Sequence, residues 1–179
     1  MSPKTGGIIA YTGKPGAAEL VRRLRAEFER AGVGVVMEKA TAELVGDPSG
    51  MTIAAVGTEA ELLVVLGGDG TILNAVGNLK DEIRPIFGIN IGSLGFLTCA
   101  SSTAYVEAVE AIWKGKINFS DRTLLDVRIS LVGQSKYFIG FNDAVLSRVE
   151  LSRPVRMRTR VHGDSLPELR SASWNLAHS

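Results

Sequence analysis

Two glycine-rich segments hold the residues of this sequence that could bind phosphate and move a proton. The first, GGDGT at residues 67–71, follows an apolar run and precedes residues with helical spacing. Main-chain amides at the start of a helix favour phosphate oxygens, and glycines let a phosphate approach the backbone closely. Asp69 differs in kind, because a carboxylate repels phosphate. A carboxylate at this position is suited to contact a bound cation or a hydroxyl donor. Asp69 could therefore act as the base, or as a positioning group, for a hydroxyl that attacks a phosphoryl group.

Asp69 also has a structural interpretation. Asp and Gly are the commonest turn formers, and Asp is a frequent helix cap. A carboxylate held by neighbouring amides, away from any cavity, would count against a role in phosphoryl transfer. Both interpretations stay open on local chemistry alone.

The second segment, GINIGSLGFLT at residues 88–98, also follows an apolar run. Its glycines lack the GxGxxG spacing of dinucleotide-binding dehydrogenases, and the sequence has no GxxxxGK[ST] phosphate loop. Neither of those two classes is therefore indicated. By residue type alone, a phenylalanine beside a buried strand packs in the core more often than it contacts a ligand, so core packing is the favoured interpretation of Phe96 at this point.

The elements that position both segments are predicted by apolar periodicity. Residues 7–11 and 33–37 are apolar runs on either side of a helical pattern that Gly32 ends, which is how a parallel βαβ unit begins. The continuous apolar runs at 62–66 and 86–91 are typical of strands covered on both faces. Residues 38–61 are mixed, with a turn signal at 46–50 and a loop predicted in the middle. Ser101 or Ser102 is expected to cap a later helix whose apolar side carries Tyr105, Val106, Val109, Ile112 and Trp113.

From Arg122 onward the apolar period changes to two, which indicates half-exposed antiparallel strands with a hairpin turn near 133–135. The predicted fold class is therefore α/β: a Rossmann-like parallel sheet in an N-terminal nucleotide-binding domain, followed by the start of an all-β sandwich. The predicted domains are residues 1–121 and 122–179. Ligands of such parallel sheets collect at the carboxyl ends of the strands, where both glycine-rich segments fall.

Composition excludes several classes of protein. Twenty Lys and Arg against nineteen Asp and Glu give a net charge of +1, which argues against a nucleic-acid binder. The arginines at 156, 158 and 160 alternate, as on a solvated strand face. One cysteine and two histidines offer no disulfide, zinc cluster or histidine-led triad, so no protein-bound metal is expected. With no membrane span or signal-like segment in the sequence, a cytoplasmic protein is expected.

Four segments resemble the NAD kinase family, the ATP-dependent enzymes that make NADP. They are LGGDGTIL at 66–73, GINIGSLGFLT at 88–98, RTLLDV at 122–127 and the Asn142-Asp143 pair in FNDAVLSR, and the similarity runs from about Ile8 to about Val161. Diacylglycerol-type lipid kinases and 6-phosphofructokinases carry loops related to GGDGT, but GINIGSLGF separates this chain from the lipid kinases. The resemblance implies transfer of the γ-phosphoryl group of ATP to the 2′-hydroxyl of NAD, with Mg²⁺ bridging the phosphates; polyphosphate as donor and NADH as acceptor stay open.

The resemblance also implies roles for individual residues. Asp69 would be the catalytic base for the ribose hydroxyl, and the glycines beside it would shape the loop around the phosphates. Phe96 would lie against the NAD adenosine. A basic residue following the Asn-Asp pair is matched best by Arg153, with Arg148 as a competitor. The implied cofactor-binding residues are Gly68, Gly70, Thr71, Phe96, Asn142, Asp143 and Arg153.

The resemblance weakens after about residue 164, where the family continues through further strands of the β-sandwich. The chain is thus expected to be truncated in its C-terminal domain, with unpaired strand edges. Three functions follow as hypotheses: an NAD kinase, a catalytically inactive nucleotide-binding fragment of one, and, less favoured, a lipid kinase. A homo-oligomer is expected if the C-terminal domain is complete.

Overall fold

The computed structural model describes residues 3–79, 82–92, 95–141, 143–147, 155–161, 163–166, 168–171 and 173–177. The chain divides into two compact units, Met1–Arg122 and Thr123–Ser179. Within the described ranges, none of the helices is long and apolar enough to cross a bilayer.

The first unit is a parallel sheet flanked by helices, which confirms the predicted Rossmann-like class. Its five strands lie in the order β2-β1-β3-β4-β5, and every neighbouring pair is parallel. The elements are β1 (Thr5–Ala10), α1 (Ala17–Arg30), β2 (Gly34–Met37), α2 (Lys39–Val45), α3 (Ile53–Glu59), β3 (Leu62–Gly67), α4 (Asp69–Leu79), β4 (Ile86–Asn90), β5 (Ala100–Ser101) and α5 (Tyr105–Trp113).

Strand β3 lies at the centre of the sheet and is buried along its whole length. Alternate residues face opposite sides: Val64 packs with α1 and α5, whereas Leu63 packs with α3 and α4. Both faces are therefore covered, which is why the strand shows no polar alternation. Phe28 of α1 is fully buried and meets Trp113 edge to face, with ring centroids 4.6 Å apart.

Two local predictions were incomplete or wrong. The stretch between β2 and β3 holds two short helices on either side of the predicted turn, because the side chains of Glu38 and Thr52 each accept hydrogen bonds from first-turn amides. The N-cap residue of helix α5 is Ala104, and no side chain caps the helix there, so the predicted serine cap was wrong. Ser101 lies in β5 and its hydroxyl bonds that of Thr103, and Val106 is exposed rather than on the packed side.

The second unit consists, in its described residues, of antiparallel strand pairs. β6 (Leu125–Leu131) pairs with β7 (Gln134–Gly140) through a two-residue turn at 132–133, one residue earlier than predicted. The other pairs join β8 (Asp143–Ser147) to β13 (Ser173–Ala177), β9 (Val155–Met157) to β12 (Leu169–Ser171), and β10 (Arg160–Val161) to β11 (Asp164–Ser165). This agrees with the predicted change to an all-β organisation.

Candidate active site

The strand order reverses at β1, and at such a switch point a ligand crevice is expected at the carboxyl edge of a parallel sheet. From β1 the chain passes to β2 on one side, whereas β3, β4 and β5 follow on the other. At such a switch point the loops after the two adjacent strands diverge, and ligands of parallel sheets bind between them. The loop after β1 spans residues 11–16, and the loop after β3 is the GGDGT segment.

Asp69 is the first residue of α4, and its carboxylate joins the two glycine-rich segments. The amide of Phe96 donates to Oδ2 at 2.9 Å and the amide of Leu97 donates to Oδ1 at 3.0 Å. These donors are 27 and 28 residues further along the chain, so the side chain does not cap its own helix. The carboxylate is held by amides, but by those of the second predicted segment, at the edge where ligands are expected.

Gly95 makes this contact sterically feasible. A β-carbon at Gly95 would lie 2.6 Å from Cγ and 2.8 Å from Oδ2 of Asp69, closer than real β-carbons approach other atoms. Gly88 is similarly enclosed, since a β-carbon there would lie 2.7 Å from Cδ1 of Ile72 and 3.1 Å from Cα of Thr98. The second glycine segment is therefore packed directly against the first.

Gly68 and Gly70 face open space instead. A β-carbon at either position would meet no atom within 4 Å. The amides of Asp69 and Gly70 lie in the first turn of α4, where a helix offers no intrahelical acceptor. Thr71 closes the other side of the loop: its amide donates to the Gly68 carbonyl at 3.0 Å, and its hydroxyl lies over Gly67. The loop thus presents amides beside unfilled space.

Phe96 is 96% exposed, so the core-packing interpretation of this side chain was wrong. Its amide is fixed by Asp69, which holds the aromatic ring at the sheet edge in solvent. An exposed aromatic face at this position is available to a flat ligand.

Two residues that the sequence did not single out also lie at this edge. Asn90, the last residue of β4, is 2% exposed, and its Nδ2 lies 3.4 Å from the Thr98 hydroxyl, while its Oδ1 has no hydrogen-bond partner in the described part of the chain. Lys14, in the loop after β1, donates from Nζ to the carbonyl of Ile91. The sequence offered one positional signal: Lys14 follows the first predicted strand, and Asn90 lies near the carboxyl end of the predicted strand at 86–91.

The remaining predicted residues belong to the second unit or lie outside the described residues. Asp143 begins β8 and pairs with Ala177. Asn142, Arg148 and Arg153 lie outside the described residues. Among the residues that are described, no group of three or more His, Cys, Asp or Glu side chains is placed to hold a metal ion.

Sequence comparison finds one matching family and many relatives. Residues 7–117 match the ATP-NAD kinase N-terminal domain. The NAD kinase of Chlorobium luteolum is 30% identical over 173 residues, covering 97% of this chain and 60% of the relative. That of Burkholderia pseudomallei is 35% identical over 170 residues, covering 93% and 57% respectively. The chain thus spans somewhat more than half the length of these curated relatives.

Solved structures share the fold. Yeast NADH kinase complexed with NADH superposes with a TM-score of 0.85 at 20% identity, over 99% of this chain and 58% of that one. An NAD kinase from Archaeoglobus fulgidus in complex with ATP gives a TM-score of 0.64 at 24% identity, over 97% and 60%. At these identities the likeness establishes the fold alone.

Proposed function

The chain belongs to the NAD kinase family, and we propose that it acts in the transfer of the γ-phosphoryl group of ATP to the 2′-hydroxyl of NAD, which yields NADP and ADP. One observation carries the proposal: the Asp69 carboxylate is fixed at the head of α4, beside a glycine loop with unfilled space over it. Membership of the family supports the choice of reaction, and this geometry supports Asp69 as the residue at which it takes place.

Asp69 is proposed to receive the proton of the ribose hydroxyl. Each carboxylate oxygen accepts one amide hydrogen bond and keeps a further lone pair, so a hydroxyl can still donate to it. As the proton passes to Asp69, the ribose oxygen bonds the γ-phosphorus and the bond from that phosphorus to the bridging oxygen of ATP breaks, with ADP leaving. The two amides fix the carboxylate in advance, which favours a reaction that depends on positioning.

The glycine loop is proposed to receive the phosphates. The amides of Asp69 and Gly70 can donate to phosphoryl oxygens, and no β-carbon at Gly68 or Gly70 excludes them. Thr71 supports the loop through its hydrogen bond to Gly68. Mg²⁺ would arrive with ATP and would neutralise phosphate charge.

The NAD side of the site is proposed to begin at Phe96. Its exposed ring, held in place through its amide, can stack on the adenosine. Asn142, Asp143 and Arg153 stay predictions for further NAD contacts. We also propose that the domain boundary lies near residue 121 and that the protein acts in the cytoplasm, since its single cysteine fits a reducing compartment. Self-association is proposed for a protein whose C-terminal domain is complete.

The test is the formation of NADP by the purified chain from ATP, Mg²⁺ and NAD, with NADP measured by an NADP-specific dehydrogenase. Product formation with ATP supports the proposal, and parallel reactions with polyphosphate or NADH identify the donor and acceptor. Binding of NAD by calorimetry without product would favour the inactive nucleotide-binding alternative. Phosphorylation of diacylglycerol without NADP would contradict the assignment.

A further inference from the structure

Lys14 lies in the loop between β1 and α1, on one side of the switch-point crevice. Its ammonium group extends past the end of β3 to donate to the carbonyl of Ile91, directly after β4. The amide of Ile91 in turn donates to the carbonyl of Gly67 at 3.2 Å. This chain of contacts places the Lys14 ammonium beside the start of the glycine loop.

The ammonium group lacks a counter-charge in the described structure. Lys14 is half-buried, and no described carboxylate lies within 4 Å of its nitrogen. A lysine has three donors, and the Ile91 carbonyl uses one. A partly desolvated cation with two free donors is suited to an anion.

Asn90 is a second polar group beside this position, and its hydrogen bonding is incomplete among the described residues. Its buried Oδ1 lacks a donor among the described residues, and buried acceptors are normally satisfied. A β-carbon at Gly92 would lie 3.0 Å from Lys14 Nζ and 3.8 Å from Asn90 Oδ1, so both groups lie on the same side of Gly92. An acceptor without a donor among the described residues thus lies beside the Lys14 ammonium, at a position covered from solvent.

A ligand that suits the Lys14 ammonium carries negative charge, as a nucleotide does. The surroundings favour phosphate as the charged part. Helix α1 begins after Gly16 without a side-chain cap, and α4 begins at Asp69; both helices therefore direct amide ends toward the crevice, from opposite faces of the sheet. A β-carbon at Gly68 or Gly70 would meet no atom within 4 Å, so neither position obstructs a ligand at the start of α4.

We propose that Lys14 is a phosphate-binding residue of this site, contacting the phosphoryl oxygens of ATP. The inference rests on the proposed function for the identity of the nucleotide. It adds the loop after β1 to a site so far assigned to the loops after β3 and β4.

The test compares Lys14→Gln with Lys116→Gln. The glutamine at position 14 keeps an N–H donor for the Ile91 carbonyl while removing the charge, and exposed Lys116, after α5, gives a matched control. Calorimetry measures the affinity of the purified chain for ATP, inorganic tripolyphosphate and adenosine. Lys14→Gln is expected to weaken ATP and tripolyphosphate by about tenfold to a hundredfold, the range of a charge-assisted hydrogen bond, and to leave adenosine unchanged. Lys14→Arg should retain most of the phosphate affinity, and Lys116→Gln should stay within about twofold of wild type.

Two of the outcomes distinguish a failure of this inference from a failure of the proposed function. Tripolyphosphate binding that depends on Lys14, without NADP formation, would support the inference and contradict the proposed function. NADP formation with equal ATP affinity in wild type and Lys14→Gln would overturn the inference and leave the proposed function standing. If the wild type bound neither ATP nor tripolyphosphate, both would be overturned. If Lys14→Gln fails to fold, the salt dependence of tripolyphosphate binding is measured for wild type and Lys14→Arg instead. An affinity that is weak in both proteins and independent of salt would contradict a phosphate-binding role for Lys14.

Discussion

The carboxylate of Asp69 occupies the space that a β-carbon at Gly95 would need, with Cγ 2.6 Å and Oδ2 2.8 Å from that position. The neighbouring amides of Phe96 and Leu97 donate to the same carboxylate. The position of the Asp69 carboxylate therefore requires a glycine at position 95, in the loop after β4. The position of the Phe96 amide, and so of its exposed ring, depends on the same contact.

Gly95→Ala is expected to break this arrangement. The added methyl group would displace the carboxylate and cost about 1–3 kcal/mol, as overpacking usually does. Thermal unfolding should show the loss of stability. The rate of NADP formation, measured at a temperature where the variant is still folded, should also fall, because the carboxylate of Asp69 is displaced. Because the displaced group is Asp69, combining Gly95→Ala with Asp69→Ala should cost less stability than the sum of the two single changes. Additive costs would mean that the two residues do not interact.

Gly70→Ala and Gly77→Ala form a matched pair within α4. Neither glycine has a positive φ, and a β-carbon added at either would have no atom within 4 Å, so both changes should stabilise the helix by about 0.5–1 kcal/mol. Only Gly70 adjoins the proposed phosphate position. Its substitution should weaken ATP binding in calorimetry, whereas Gly77→Ala should not. Equal ATP affinities in the two variants would show that the phosphates of ATP do not bind at this loop.

Phe28→Ala tests the packing that supports the sheet. The side chain is fully buried and meets Trp113 edge to face, so its removal should lower the free energy of unfolding by about 3–5 kcal/mol. Phe119→Ala removes the same atoms from a ring that is 65% exposed and should change stability by less than about 1 kcal/mol. Urea denaturation of the first unit's helices, followed by circular dichroism, distinguishes the two; similar costs would contradict the described core.

The predictable part of the fold depends on local pattern. The apolar runs of β3 and β4 and the helical spacing of α4 are properties of neighbouring residues, so the strand order along the chain and the place of GGDGT followed from the sequence. Helices α2 and α3 were not predicted because each has only seven residues, too few for a clear period. Their starts depend on caps by Glu38 and Thr52 within a turn-rich stretch.

The candidate site was predictable only in part for the same reason. Asp69 and Phe96 could be singled out by residue type and resemblance, but not the hydrogen bond between them, which spans 27 residues. Lys14 and Asn90 gain their significance from contacts between loops that only the folded sheet brings together. The Lys14 ammonium without a counter-charge and the buried Asn90 oxygen without a donor arise from how the described residues fold together. A short sequence motif does not reveal either feature.

The most direct test of the central claim is the initial rate of NADP formation by Asp69→Asn at saturating ATP, Mg²⁺ and NAD, measured below the unfolding temperature of the variant. Asparagine keeps the shape of the side chain and one acceptor oxygen but is a far weaker base. Loss of a general base predicts a fall in the rate of about 10²- to 10⁴-fold relative to wild type, with ATP affinity within a few-fold. A folded variant that retained more than about a tenth of the wild-type rate would show that Asp69 fastens the two loops and does not take the proton.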